Sequence, residues 1–200
     1  MVLDGDLVEL FHRQEGAEVD VKAAARGEPE ESDDWNPHDP LLRRTQEVCT
    51  DSNDSRYSGV VEVRRAASNE LDVCHEIRRR VFIEGQQVPI EADLDGLDAE
   101  AAHFLAFEGA QPVGNARLRE ISPKVAKVER VAVLASHRGR GIGDLLMDAV
   151  EREARARGCR EIVLNAQLSV VPFYERRKYV GEGEVFEDAG IDHLHMRRKV

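Results

Sequence analysis

The 200-residue sequence has little that would staple, anchor or charge it positively. Its three cysteines, Cys49, Cys74 and Cys159, are far apart, odd in number and form no CxxC pair, so neither a disulfide framework nor a zinc site is signalled. Free thiols fit a reducing compartment, and the cytoplasm is the expected location. No stretch approaches the roughly 18 apolar residues of a membrane span, and Met1-Val2-Leu3-Asp4-Gly5-Asp6 lacks the basic-then-apolar order of a signal peptide. No membrane partner is expected. The formal net charge of -11 opposes sequence-independent nucleic-acid binding, which depends on Lys and Arg neutralising phosphates. A GxxxxGK[ST] loop is also missing, which excludes the common nucleoside-triphosphatase signature.

What is present suits a globular protein: 42% hydrophobic residues over a length that allows one domain with a core, or one domain and an appendage. The acidity is uneven. Residues 1–56 hold 15 Asp/Glu against 6 Lys/Arg, whereas 57–200 hold 24 against 22. The first segment includes Glu28-Pro29-Glu30-Glu31-Ser32-Asp33-Asp34, with little periodic apolar content and strong self-repulsion. It is expected to be a largely disordered extension, with a domain running over 57–200. Of the 28 basic residues 23 are Arg, which fits salt adaptation and GC-rich coding equally.

From Val60 the texture changes to short elements. Strands are expected over 60–64, 103–108, 113–121 and 127–134, with a helix over 68–83 opening on a Ser68 cap and a turn at Gln111-Pro112. The clearest helix runs from Ile142 to Arg157. Leu145, Leu146, Ala149, Val150 and Ala154 lie at helical spacing, Glu151/Arg155 and Glu153/Arg157 are i,i+4 pairs, and Gly158 sits at a C-terminal cap. A short apolar strand follows from Glu161. This strand, helix, strand order is a crossover unit, expected to set 131–134 and 162–165 parallel and adjacent. The fold class is therefore mixed α/β, with mainly antiparallel strands leading into a β-α-β unit.

Inside that unit lies Ser136-His137-Arg138-Gly139-Arg140-Gly141-Ile142-Gly143. Glycines at alternate positions let backbone approach a ligand, and the first amides of the following helix lie at the positive end of its dipole. A pyrophosphate fits this pattern, with Arg138 and Arg140 adding charge; a plain tight connection is the other reading. A dinucleotide fold would put such a loop after the first strand of a mostly parallel sheet, and here it follows strands that read as antiparallel.

Arg138 to Gly143 resembles the R/Q-x-x-G-x-G/A loop of the GNAT superfamily of acyltransferases, preceded by Val131-Ala132-Val133 as its L/V-x-V strand. Asn165-Ala166-Gln167, Pro172-Phe173-Tyr174-Glu175, Tyr179 and Glu187 to His193 with Met196 are similar to the small ElaA-like branch of that superfamily. Arg79, Val81-Phe82, Gln86, Pro89, Asp95, Asp98 and His103 extend the likeness upstream, so that it covers about 61–200.

The resemblance implies a GNAT fold, with the parallel strands splayed around acetyl-CoA as acyl donor and no metal. Backbone of Val131, Ala132 and Val133 would hold pantetheine, and amides from Arg138, Gly139, Arg140, Gly141, Ile142 and Gly143 the phosphates, with Gly141 and Gly143 least replaceable. Asn165 would bond the pantetheine arm, or cap its strand. An amine acceptor must lose a proton before attack; Glu129 is the expected base, with a surface salt bridge as the alternative. Tyr174 is the expected acid toward the thiolate, or else a core aromatic. Phe82, Gln86 and His193 would line the acceptor pocket. His193 and His195 have no carboxylate or cysteine at ligand spacing, which disfavours a metal, and His75 and His103 are expected to be structural. The branch usually carries a glutamate where this chain has Gly85, a place Glu84 could fill by a local shift.

The expected activity is acetyl transfer to a primary amine of a small molecule. Protein acetylation and a non-catalytic acyl-CoA sensor are the alternatives, and a homodimer is left open.

Overall fold

The computed structural model describes residues 60–200. The expected acidic extension over 1–56 lies outside them. In chain order the elements are β1 (Val61–Arg65), α1 (Leu71–Arg78), α2 (Ile90–Asp93), β2 (Ala102–Glu108), β3 (Gln111–Ser122), β4 (Val125–Val133), α3 (Ile142–Ala156), β5 (Glu161–Gln167), α4 (Val171–Arg176), β6 (Val180–Asp188) and β7 (Ile191–Lys199). The seven strands form one sheet in the order β1-β2-β3-β4-β5-β7-β6. Only β4 and β5 pair in parallel; every other neighbouring pair is antiparallel. The mixed α/β architecture is the one expected from the sequence.

Strand alternation gives the sheet two buried faces. Phe104 and Ala106 of β2 pack with Leu146 and Val150 of α3 on one face, while Leu105 of β2 and Ala132 of β4 meet Cys74, Ile77 and Val81 on the other. The apolar stripe of α3 is the cause of its docking: Ile142, Leu146, Ala149, Val150 and Ala154 are buried along one side. Removing a side chain such as Leu146 from water contributes roughly 1.5–3 kcal/mol. Gly158, at φ 77°, follows the helix end as expected.

Local details differ from the sequence reading for identifiable reasons. Ser68 does not cap α1; the Glu70 carboxylate instead accepts from the Ala67 amide at 2.8 Å and from the Arg64 guanidinium at 2.7 Å. The helix also widens into a π turn over Arg79–Glu84. The turn between β2 and β3 falls at Gly109-Ala110, where Gly109 takes a φ of 60°, and Gln111 and Pro112 already belong to β3. Glu153 and Arg157 pair at 2.7 Å, but Glu151 is buried and turns to Arg198 at 2.8 Å and Arg177 at 3.2 Å, leaving Arg155 at 3.9 Å.

The parallel strands also pair at a different place. Their register joins Val125–Lys127 to Glu161–Val163, the first residues of each strand. Beyond that point β5 continues along β7, with Leu164 opposite Met196 and Gln167 opposite His193, while β4 remains with β3. Val131–Val133 and Asn165 therefore stand on diverging strands, with the candidate site in the gap between them.

Candidate functional site

The divergence opens a cleft of about 710 Å³, lined on one side by residues 127–133 of β4 and on the other by residues 164–167 of β5. A bulge shapes the first wall. Arg130 and Val131 together oppose the single residue Ala116, since Asn115 pairs with Ala132 and Arg117 with Glu129. Arg130 consequently adopts a φ of 54°, a left-handed conformation costing roughly 1–2 kcal/mol for a side chain with a Cβ. Neighbours hold it there: Asn115 Nδ2 donates to the Arg130 carbonyl at 3.0 Å, and the Arg130 guanidinium reaches Ala92 O at 2.8 Å, Asp95 at 3.1 Å and Asp93 at 3.2 Å.

At the far end of β4 the chain makes a tight turn into α3. Gly139 and Gly141 both take a φ of 73°, which a side chain resists. Gly143 has no such demand; a Cβ there would stand 3.5 Å from the Phe173 ring. Gly141 occupies the N-cap of α3 and has no side chain to occupy the first amides, so the helix presents them to the cleft. The two arginines separate. Arg138 lines the cleft and its Nε donates to Val133 O at 3.0 Å, whereas the Arg140 guanidinium pairs with Glu108. Glu108 also takes His137 Nε2 at 3.1 Å, fixing the loop to the end of β2.

Tyr174 stands on α4 at the cleft, 7% exposed, with its ring against Phe173 and Tyr179 at centroid distances of 4.9 and 5.8 Å. Burial pushes its phenol up to about 12, and its hydroxyl makes no hydrogen bond to another described residue. Asn165 Oδ1 is 3.1 Å from His195 Nδ1. That contact uses the carbonyl of the side chain and leaves its NH₂ as the donor on the cleft side.

Glu129 lies among cations. Burial raises its carboxyl, but the Arg119 hydrogen bond and the charges of Arg117 and Lys127 outweigh burial and bring it down to about 2. The partners stand at 2.7 Å for Arg119, 2.9 Å for Arg117 and 3.3 Å for Lys127. A carboxylate so held accepts a proton poorly near neutral pH. It belongs to a buried ionic network in which Arg117 meets Asp98 at 2.8 Å and Arg78 meets both Asp93 and Asp98, at 3.0 and 2.8 Å.

Phe82 and Gln86 line the cleft from the α1 side, and His193 lines it from β7. Gln86 and Gln167 bridge this region by exchanging amide hydrogen bonds at 3.1 and 2.9 Å. Glu84 pairs with Arg79 at the surface rather than lining the cleft. Gly85 is helical, at φ -83°, and a Cβ would meet Arg80 O at 3.1 Å. His75 contacts Asp98 at 2.9 Å, and His103 Nε2 donates to Asp98 O at 3.0 Å, both outside the cleft lining.

The sequence reading missed the Gln86–Gln167 bridge and the convergence of Arg78, Asp93, Arg117 and Arg130. Their signal is spread over four elements, and nothing in their spacing marks them. No helix among the described residues is long and apolar enough to cross a membrane, and no group of three or more His, Cys, Asp or Glu among them is arranged to hold a metal.

Comparison with known proteins adds to this geometry. Residues 72–200 match the family model described as an acetyltransferase (GNAT) domain. The chain is 41% identical over 123 residues, 61% of its length and 87% of the relative, to the uncharacterized N-acetyltransferase YjcF of Bacillus subtilis (strain 168). The crystal structure of ElaA from Escherichia coli is similar with a TM-score of 0.63 at 24% identity, covering 69% of this chain and 99% of ElaA. A GNAT family acetyltransferase from Elizabethkingia anophelis with acetyl-CoA bound gives a TM-score of 0.55 at 13% identity, covering 70% of this chain and 98% of that one.

Proposed function

The chain belongs to the GNAT acetyltransferase family and is an acyltransferase, and from that premise we propose that it transfers the acetyl group of acetyl-CoA to a primary amine of a small molecule, by direct attack in a ternary complex. The observation that carries this reading is the opening between β4 and β5, whose far end meets the amide-presenting start of α3. Backbone of Val131, Ala132 and Val133 would pair with the pantetheine arm, the Asn165 NH₂ would donate to it, and amides over 138–143 would hold the pyrophosphate. Arg138 supplies charge there. The Arg140 contribution is its backbone, because its guanidinium is engaged by Glu108.

The domain over 57–200 carries the activity. The amine nitrogen attacks the thioester carbonyl, and amides of the β4 wall offer hydrogen bonds to the resulting oxyanion. That attack forms the C–N bond; collapse of the oxyanion restores the carbonyl and breaks the C–S bond. Tyr174 then gives its proton to the departing thiolate; burial keeps the phenol protonated throughout the neutral range. Residues Phe82 and Gln86 would contact the acceptor, and its recognition differs from that of the branch at Gly85, where neither Gly85 nor Glu84 brings a carboxylate to the cleft.

Tyr174→Phe tests the assignment of the acid. It should lower kcat at least ~10-fold while leaving acetyl-CoA affinity within a factor of about two, because the lost proton transfer belongs to the chemical step. An unchanged kcat would remove Tyr174 from the mechanism.

A further inference from the structure

We propose that His193 is the general base that takes the proton from the attacking amine, directly or through one water. This rests on the acetyl-transfer reading above and adds to it the identity of the proton acceptor.

The geometry begins with the tautomer. His193 Nδ1 lies 2.7 Å from the carbonyl oxygen of Ile191. A carbonyl can only accept, so Nδ1 carries the hydrogen, and Nε2 of the neutral ring keeps its lone pair. Nε2 makes no hydrogen bond to another described residue. The ring stacks beside Phe186 at a centroid distance of 5.9 Å with an interplanar angle of 26°, and His193 lines the cleft. A backbone carbonyl that sets the tautomer, a stacked aromatic neighbour and an uncommitted lone pair on a residue lining the cleft are features that suit a base.

Position on the sheet agrees. His193 pairs with Gln167 and His195 with Asn165, so strand alternation puts these four residues on one face. Gln167 in turn bonds Gln86, which comes from the chain after α1. This is the face opposite the α3 core, the side on which Phe82 and Gln86 border the cleft. By contrast, Glu129, the carboxylate expected from the sequence, has its oxygens committed to Arg117, Arg119 and Lys127.

In the step assigned here His193 Nε2 takes a proton from the ammonium form of the acceptor; the freed lone pair forms the C–N bond, and the second N–H proton leaves to solvent as the intermediate collapses and the C–S bond breaks. Tyr174 supplies the proton that neutralises the thiolate, and solvent returns the proton from His193 to Tyr174 after product leaves. No oxidant or further reactant is required.

The test compares His193→Gln with Glu129→Gln in the full chain, using acetyl-CoA and two kinds of acceptor: primary alkylamines, protonated at neutral pH, and O-methylhydroxylamine, already neutral and so without the ammonium proton assigned to His193. His193→Gln should lose about 10²-fold or more in kcat/KM on alkylamines and less than about 3-fold on O-methylhydroxylamine, with acetyl-CoA affinity unchanged. Equal losses on both acceptors, or an alkylamine-specific loss in Glu129→Gln alone, would overturn the base role. If the wild type releases no thiol with any amine, the acetyl-transfer reading falls and the base role with it. Nitrogen-15 NMR of the wild-type ring gives a readout that needs neither turnover nor a folded variant: Nδ1–H is expected, and Nε2–H would also overturn the proposal.

Discussion

Gly143→Ala should separate stability from ligand binding. Gly143 lies in the first turn of α3 and its φ is outside the left-handed region, so alanine suits the backbone. Replacing glycine by alanine in such a place gains roughly 0.5–1 kcal/mol, mostly by restricting the unfolded chain. The new Cβ would meet Phe173 Cζ at 3.5 Å, an ordinary contact. The ligand-free melting temperature should therefore stay level or rise by roughly 2–4 °C. The same methyl group would stand where the phosphates are proposed to approach the α3 amides, and acetyl-CoA affinity should fall at least ~10-fold, or about 1.4 kcal/mol. Thermal unfolding without ligand and calorimetric titration with acetyl-CoA read the two effects independently. Wild-type affinity in a stable Gly143→Ala protein would refute phosphate binding at this turn. Gly141→Ala is the contrast: at φ 73° with open space around its Cβ, it should cost stability through backbone strain alone, roughly 1–2 kcal/mol.

Two further predictions concern the ionic network. Arg117 is fully buried against Asp95, Asp98 and Glu129, so Arg117→Ala leaves carboxylates without their cation and should destabilise by roughly 3–5 kcal/mol in urea denaturation; a loss under about 1 kcal/mol would contradict a structural role. Glu129 has a folded pKa of about 2 against 4.5 for the free carboxyl, so its contribution is present above about 4.5 and is lost as pH falls toward 2. Stability measured across that window should drop, and Glu129→Gln should flatten the drop.

The helix α3 and the loop before it were legible because each carries a local signal: a 3.6-residue apolar period, and glycines at positions where backbone turns left-handed. The antiparallel strands β1 to β4 also carried local signals, whereas β6 and β7 were not anticipated. What escaped depended on residues distant in sequence. Ser68 looked like a cap, but Glu70 reaches back to Ala67 and across to Arg64. Glu151 read as a helix-surface partner of Arg155, yet the chain end brings Arg198 to it and buries it. The β4–β5 divergence depends on β4 staying with β3 while β5 stays with β7, pairings between distant segments that no local pattern encodes. At the site the same limit applied: Glu129 sits beside the cleft as expected, and only the folded arrangement shows how many cations surround it.

The central claim is acetyl transfer from acetyl-CoA to a small primary amine. The measurement that addresses it most directly is thiol release by the purified full chain from acetyl-CoA across a panel of small amines, with mass spectrometry of the acceptor. The account predicts amine-dependent thiol release matched by acceptor carrying one added acetyl group, both slowed at least ~10-fold in Tyr174→Phe. Saturable binding of acetyl-CoA with no acetylated amine from any member of the panel would contradict it.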